Sequence, residues 1–305
     1  MYAPISLFVY NRPLHTKHTI DSILKNEYSK DTILYIFSDH EKVNATTAEI
    51  INVKAVKNYI KSIQGFKEIN IVERSYNYGL SKNITTGVSE VIDKHDRVIV
   101  LEDDMVCSKG FLQYMNEALD FYNNDEMVGC IHGWNYPLDS KKAINETFFL
   151  LGADCWGWAT WKRAWKFYNP NGTYLLDYIK NNNLSYNFNR RDTIDFVKML
   201  KDQILNKNDS WAVRWHASLF IRNMYCLHPV KSMIINIGFD SSGVHNGSFL
   251  INQSIIDSTK VKKISIVESE WFYTEFEGKT HNNFFYSPKK NLFSRGINYL
   301  RRKFF

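Results

Sequence analysis

The sequence predicts an α/β protein with a mostly parallel central sheet, and three observations carry that expectation. Short, continuously apolar runs alternate with helical patterns over the first hundred residues, the mark of a parallel sheet covered on both faces. Polar and charged residues follow directly on the carboxyl ends of those runs. Beyond Asp104 the order changes to helices and strand-like runs without regular alternation, which reads as an α+β half.

The elements follow in order. "ISLFVY" is a first strand that stops at Asn11-Arg12-Pro13. Pro13 can open a helix at its first position, and Ile20, Ile23 and Leu24 give that helix an apolar stripe. "ILYIFS" (33–38) is a second strand ending at Asp39, and Val53, Val56, Ile60 and Ile63 mark a helix over 46–63. "INIVE" (69–73), a helix over 80–94 and "RVIVLE" (97–102) complete the alternating half. A helix over 109–122 comes next, then strands "MVGCI" and "TFFLL", helices over 192–206 and 210–223, and a strand "MIINI". Trp158, Trp161 and Trp165 stand at i, i+3 and i+7, the spacing of one helix face. The Asn-rich stretch 169–191 gives no clear element. The expected organisation is 1–107 as one half, 108–250 as a second half of the same domain, and 251–305 as a C-terminal extension.

Composition narrows the function. The chain has 305 residues, 44% of them hydrophobic and 23% charged, as expected of a folded globular protein. Its net charge of +6 is spread out, and no nucleic-acid motif appears. An anionic surface or a phosphorylated substrate fits that bias equally. Four cysteines stand far apart with no CxxC pair, which argues against a zinc site or a disulfide framework and for free thiols. No signal peptide is read at the start, and no apolar stretch reaches the roughly 18–20 residues that span a bilayer. A cytoplasmic location is expected.

In open parallel sheets, ligands bind at the carboxyl ends of the strands. Asn11-Arg12, Asp39, Arg74 and Glu102-Asp103-Asp104 all fall there. "VIVLEDDM" (98–105) delivers three adjacent carboxylates to the end of a core strand. Like charges repel and lose hydration there, so a cation is the first candidate to offset them. Mg²⁺ and Mn²⁺ are commonly held by one or two carboxylates plus phosphate oxygens. The loop "YNRP" has no glycine-rich cradle, which counts against a P-loop and a dinucleotide fingerprint. Tyr10, Arg12 and Asp39 can instead hold a nucleotide, although Asp39 can equally cap the next helix. "RSYNYGLSKN" (74–83) places Lys82 and Asn83 at a helix start, which favours anions, or forms an ordinary turn. Trp134 and the Trp156-Gly157-Trp158 segment can line a sugar site, since aromatic faces pack on apolar C–H surfaces. Asp209 or Ser210 caps the helix beginning "DSW"; Asp209 is otherwise a candidate base. His245 in "GVHNG" is a metal ligand, a phosphate contact or a plain loop histidine.

Taken together, these residues resemble the nucleotide-sugar-dependent glycosyltransferases of the GT-A fold. The acidic motif with "GFLQYM" after it is similar to that of N-acetylglucosaminyltransferase I and its relatives and of bacterial surface-polysaccharide glycosyltransferases. The order "GWN", 156–158, "DSW", "GVHNG" runs the same way. The resemblance covers residues 4–247. It implies a Rossmann-like three-layer sandwich in which Asp104 binds Mn²⁺ or Mg²⁺, and Glu102 and Asp103 contact the sugar or ribose. It places Arg12 and Asp39 at the base of a UDP-sugar, Asp209 as the base of an inverting hexosyl or N-acetylhexosaminyl transfer, and His245 near the metal and diphosphate. Ser210 departs from the family, which has a second acid there. The acceptor would be a glycan or lipid-linked glycan. A retaining transferase and a non-catalytic glycan-binding protein are the alternatives. Residues 289–305 carry six basic residues and no acid; as a helix they would set Phe293, Ile297, Leu300 and Phe304 on one face, the pattern of a helix docking on the inner membrane surface.

Overall fold

The computed structural model describes residues 2–240 and 255–277. Strand β1 (Ile5–Val9) leads into α1 (Pro13–Leu24), which Pro13 opens, its fixed φ suiting the first turn and its missing N–H costing nothing there. Next come β2 (Ile33–Ser38) and α2 (Thr47–Ile60). Thr46 Oγ1 accepts from Glu49 N while Glu49 accepts from Thr46 N, a reciprocal cap that starts α2. Then β3 (Glu68–Glu73), α3 (Gly79–His95) and β4 (Arg97–Glu102) close the alternating half.

The described chain goes on with β5 (Met105–Cys107), α4 (Phe111–Phe121), β6 (Val128–His132) and β7 (Thr147–Leu151). It continues through β8 (Trp158–Trp161), α5 (Lys162–Trp165), α6 (Gly172–Asn181), α7 (Ser185–Phe188), α8 (Phe196–Ile204) and α9 (Trp211–Phe220). It ends with β9 (Tyr225–Pro229), β10 (Ile234–Asn236) and α10 (Glu270–Glu277).

Eight strands form one sheet in the order β3-β2-β1-β4-β8-β6-β9-β7. The pairings from β3 through β4, and that of β6 with β9, are parallel; β8 runs antiparallel to both β4 and β6, and β7 to β9. The two halves therefore share a sheet across the β4–β8 seam. β5 and β10 form a separate antiparallel pair, so the "MIINI" strand lies outside the central sheet.

Strand alternation divides the core into two layers. Ile5, Leu7, Leu34, Ile36, Ile99 and Leu101 face Ile20 and Ile23 of α1, Val56 of α2 and Leu112 and Met115 of α4. Phe8, Phe37, Val98 and Val100 face Ile84, Val88 and Val91 of α3. This is the three-layer α/β sandwich expected from the sequence.

Several expectations change. Trp158 and Trp161 belong to a strand, not a helix face. Three residues apart on β8, they point to opposite faces: Trp158 joins the α3-side core and Trp161 the other. Only Trp165 is helical. The stretch 169–191 forms α6 and α7, and β9 was not anticipated. The helix expected over 192–206 starts only at Phe196, capped by the Asp195 side chain, and Arg190, Arg191 and Asp192 before it have left-handed φ values of 49°, 56° and 61°. The helix expected to reach 223 ends at Phe220.

Trp158 packs against Trp165, Trp211 and Trp215 with ring centroids 5.4–5.9 Å apart. Trp158→Ala should therefore destabilise the fold by about 3–5 kcal/mol in denaturant titration. A cost below about 1 kcal/mol would contradict this placement.

Candidate active site

β4 is a central strand, and its apolar residues are buried on both faces. Immediately after Glu102 the chain turns at Asp103-Asp104 and leaves the sheet for β5. Two backbone anchors fix that turn. Thr19 Oγ1 donates to the Asp103 carbonyl at 2.8 Å, and Ile237 N to the Asp104 carbonyl at 2.9 Å. Arg12 Nη2 bridges the two carboxylates, bonding Asp103 and, at 2.9 Å, Asp104 Oδ2. Asp104 Oδ1 is buried and has no hydrogen-bond partner. Gly238 packs directly on this acid: a Cβ there would stand 2.2 Å from Asp104 Oδ2, so only glycine lets the loop after β10 close on the turn.

The electrostatics follow from crowding in a sheltered place. Burial, then Asp104 and Asp103, pushes the Glu102 carboxyl up to about 8. Burial also raises Asp103, to about 6, with Arg12 opposing the shift. One guanidinium therefore does not balance three acids, and the turn favours a further cation. The buried, unpartnered Asp104 oxygen and the all-oxygen donor set fit a hard divalent ion.

The next strand ends shape the other side of the crevice. Asp39 is buried, and its carboxylate accepts from Tyr78 N at 2.8 Å, Gly79 N at 2.9 Å, His40 N at 2.9 Å and Asn77 Nδ2 at 3.2 Å. It thus holds the start of α3 and not that of the next helix, α2, which Thr46 caps. Tyr10 is half-buried; burial pushes its phenol up, and Asp39 is among the acids that add to this. Arg74 donates to Asn83 Oδ1 and Glu90 Oε1, each at 2.9 Å, and lies over the Phe37 and Tyr78 rings. Its Nη2 is buried without a partner. Asn83 serves to orient Arg74, whereas Lys82 is at the surface, donating to the Tyr76 hydroxyl at 2.7 Å.

At α9 it is Ser210 whose side chain caps the helix, accepting from Val213 N at 3.2 Å. Asp209 is therefore left with an exposed carboxylate, 3.7 Å from Arg214 Nη2. Arg214 in turn donates to Ser81 Oγ at 2.5 Å. Asp209 also faces Gly79, with Oδ2 3.9 Å from where a Cβ would stand. The start of α3 thus meets Asp39 on one side and Asp209 on the other.

The aromatic candidates separate. Trp158 is core, as described. Trp134 is buried beneath Trp156, ring centroids 4.6 Å apart, and the half-buried Trp156 also meets Phe239, next to Gly238, at 5.5 Å. Gly157 has φ +62°, and a Cβ there would strike Ile234 at 2.8 Å. His245 and residues 289–305 lie outside the described residues.

The sequence reading missed a buried polar cluster behind Trp156. His132, Asp154 and His228 bring ligand-type atoms within 4.8 Å of one another. Arg190, itself buried, donates to Asp154 Oδ2 at 2.9 Å and to the Tyr136 hydroxyl at 3.0 Å. Burial alone would raise Asp154, but chiefly the Arg190 guanidinium overrides it and holds it at about 2. The available signal was a histidine inside each of two apolar strands, "VGCIH" and "YCLHP". Nothing marked Arg190.

Among the described residues, no helix is long and apolar enough to cross a membrane. None of the curated proteins compared matches the chain. Two solved structures are similar to parts of it. S. aureus TarS matches at 14% identity and a TM-score of 0.31, over 59% of this chain and 29% of TarS. A Desulfovibrio desulfuricans G20 protein described as a nucleotide-diphospho-sugar transferase matches at 11% identity and a TM-score of 0.34, over 54% of this chain and 65% of its own. At such values the two structures carry no argument, and the chain spans less than two thirds of either. The family model described as Glycosyl transferase family 2 matches residues 5–208, from β1 to the residue before Asp209, and on that match the chain belongs to the family.

Proposed function

We propose that this chain is a metal-dependent glycosyltransferase that moves a hexosyl or N-acetylhexosaminyl group from a UDP-sugar to a glycan hydroxyl, with inversion. The observation that carries the reading is the buried, unpartnered Asp104 oxygen at a turn of three acids. Asp104 would hold Mn²⁺ or Mg²⁺, with His245 as a further ligand. When bound, the ion would stabilise the charge of the departing nucleoside diphosphate.

The chain's own residues would do the rest. Arg12, already on Asp103 and Asp104, would meet phosphate oxygens of the nucleotide rather than its base. Tyr10, Asp39 and the unpartnered Arg74 Nη2 form the candidate surface for the nucleotide base, with Lys82 at its rim and Asn83 holding Arg74. Glu102 and Asp103 are the candidate partners for ribose or sugar hydroxyls. Trp156 offers an aromatic face for a sugar, with Trp134 and Gly157 setting its position. Asp209, free of capping, would take the proton of the acceptor hydroxyl. A lipid-linked glycan in bacterial surface polysaccharide synthesis is the proposed acceptor, and docking on an anionic membrane through 289–305 is the sequence-based part of the proposal.

Thermal shift with UDP and UDP-sugars should show stabilisation that grows on adding Mn²⁺, approaching about 2.7 kcal/mol at a hundredfold excess over Kd. Asp104→Asn should remove the metal-dependent part. No stabilisation by any nucleotide would overturn the reading. Asp209→Asn should lower the rate of transfer by about 10²–10⁴-fold while leaving nucleotide affinity unchanged. If it stays fully active with retained anomeric configuration, transfer proceeds without this base.

A further inference from the structure

His132 ends β6 and His228 lies beside it on the paired strand β9. Both rings are buried, and their Nδ1 atoms are 3.2 Å apart. One must donate and the other accept. The backbone decides which: Trp156 N–H points at His132 Nε2 from 3.0 Å, so that nitrogen is the acceptor. His132 therefore carries its proton on Nδ1, and His228 Nδ1 receives it in the shorter of its two contacts, the Trp134 carbonyl standing farther off at 3.4 Å. The proton of His228 then lies on Nε2, which has no hydrogen-bond partner and is 3.8 Å from Asp154 Oδ2. Arg190 ends the chain, bonded to that same Asp154 oxygen and to Tyr136.

We infer that this directed chain makes His132 and His228 positioning residues for sugar transfer, holding the Trp156 segment against the acid turn. The inference rests on the glycosyl-transfer reading for its consequence, but its geometry stands on its own. Trp156 reaches the turn through Phe239 and Gly238, which packs on Asp104. The segment's closeness to the turn also shows at Cys155, whose thiol is pushed well up by burial, then by Glu102. Burial lowers His132 to about 4 and takes His228 well below its ordinary value, so both rings are neutral, as a chain with one proton per ring requires.

The same three side chains are also the metal-ligand type. Two features oppose an ion. His132 Nε2 is committed to Trp156 N–H, and freeing His132 Nδ1 for a metal would put that ring's proton against the amide. The guanidinium of Arg190 already supplies the positive charge at Asp154. The left-handed backbone of Arg190–Asp192, unfavourable for side-chain-bearing residues, aims that guanidinium inward while Arg191 pairs with Glu270 of α10 at 2.8 Å.

The test begins on the unmodified protein. ¹⁵N NMR of the histidines should show the Nδ1–H form for His132 and the Nε2–H form for His228; the reverse for His132 overturns the proposal. His228→Leu removes the acceptor, and His228→Asn can restore one near Nδ1. In His228→Leu, exchange of the Trp156 amide should quicken by about tenfold or more, and transfer should fall by up to about 10²-fold. UDP affinity should not change, and His228→Asn should recover both losses. Unchanged Trp156 exchange in folded His228→Leu would sink the idea. So would Zn²⁺ that copurifies with the unmodified protein and is lost from His228→Leu. If the unmodified protein transfers no sugar, the proposed function fails, while tautomers and amide exchange still decide this point.

Discussion

Three carboxylates close together at the end of a buried strand are the constraint around which this protein is organised. Their mutual repulsion and lost hydration oppose folding. A chain that keeps them must hold the turn rigidly and balance its charge. The anchors come from distant parts of the sequence: Thr19 on α1, Ile237 after β10, Arg12 after β1. The turn is thus assembled only when both halves of the fold are in place. The central position of β4 has the same consequence, since it carries β1 on one side and β8 on the other.

That seam between β4 and β8 explains why the crevice has two chemically different walls. The parallel strands contribute polar termini, Asp39 and Arg74, arranged around the start of α3. The antiparallel side contributes apolar surface and aromatic rings, with Trp156 half-exposed over the buried Trp134. One wall would suit a charged nucleotide, and the other the apolar C–H faces of a sugar. Asp209 lies where α9 meets α3, on the far side of Gly79 from Asp39. In the proposed reaction, a base there would work beside the nucleotide wall rather than within it.

How far the sequence foretold this varies with the kind of signal. Continuous apolar runs located β1, β2 and β4 well, because strands buried on both faces leave no other pattern; the edge strand β3 is only partly buried. Pro13 marked a helix start through its own fixed φ, which needs no tertiary partner, whereas the Thr46–Glu49 cap of α2 was not read from the sequence. The spacing of Trp158, Trp161 and Trp165 misled, because i, i+3 fits a helix face and equally fits opposite faces of a strand. Only the pairing of β8 with β4 and β6 decides between them. The left-handed turn at Arg190–Asp192 was also hidden, since no glycine announces it. At the site, adjacency in sequence revealed Glu102–Asp104, and the rest of the constellation was found through strand ends. The role of Ser210 as cap was one of two readings, and the bond to Val213 N settles it.

The histidine cluster was the least legible feature, and its physics explains why. Its members come from β6, β9, the loop before β8 and the turn after α7, so no local pattern joins them. A buried polar chain has value only when every direction of donation agrees, because a reversed proton leaves two donors or two acceptors facing each other in a low-dielectric interior. Here the direction is imposed from both ends: a backbone N–H that can only donate, and a carboxylate kept ionised by Arg190. Between those ends each imidazole has one consistent tautomer. The arrangement thus converts the fixed charge of a buried arginine into a fixed orientation of the Trp156 backbone, and through Phe239 and Gly238 that orientation reaches Asp104. An apolar core could fill the same space, but it could not specify where that amide points.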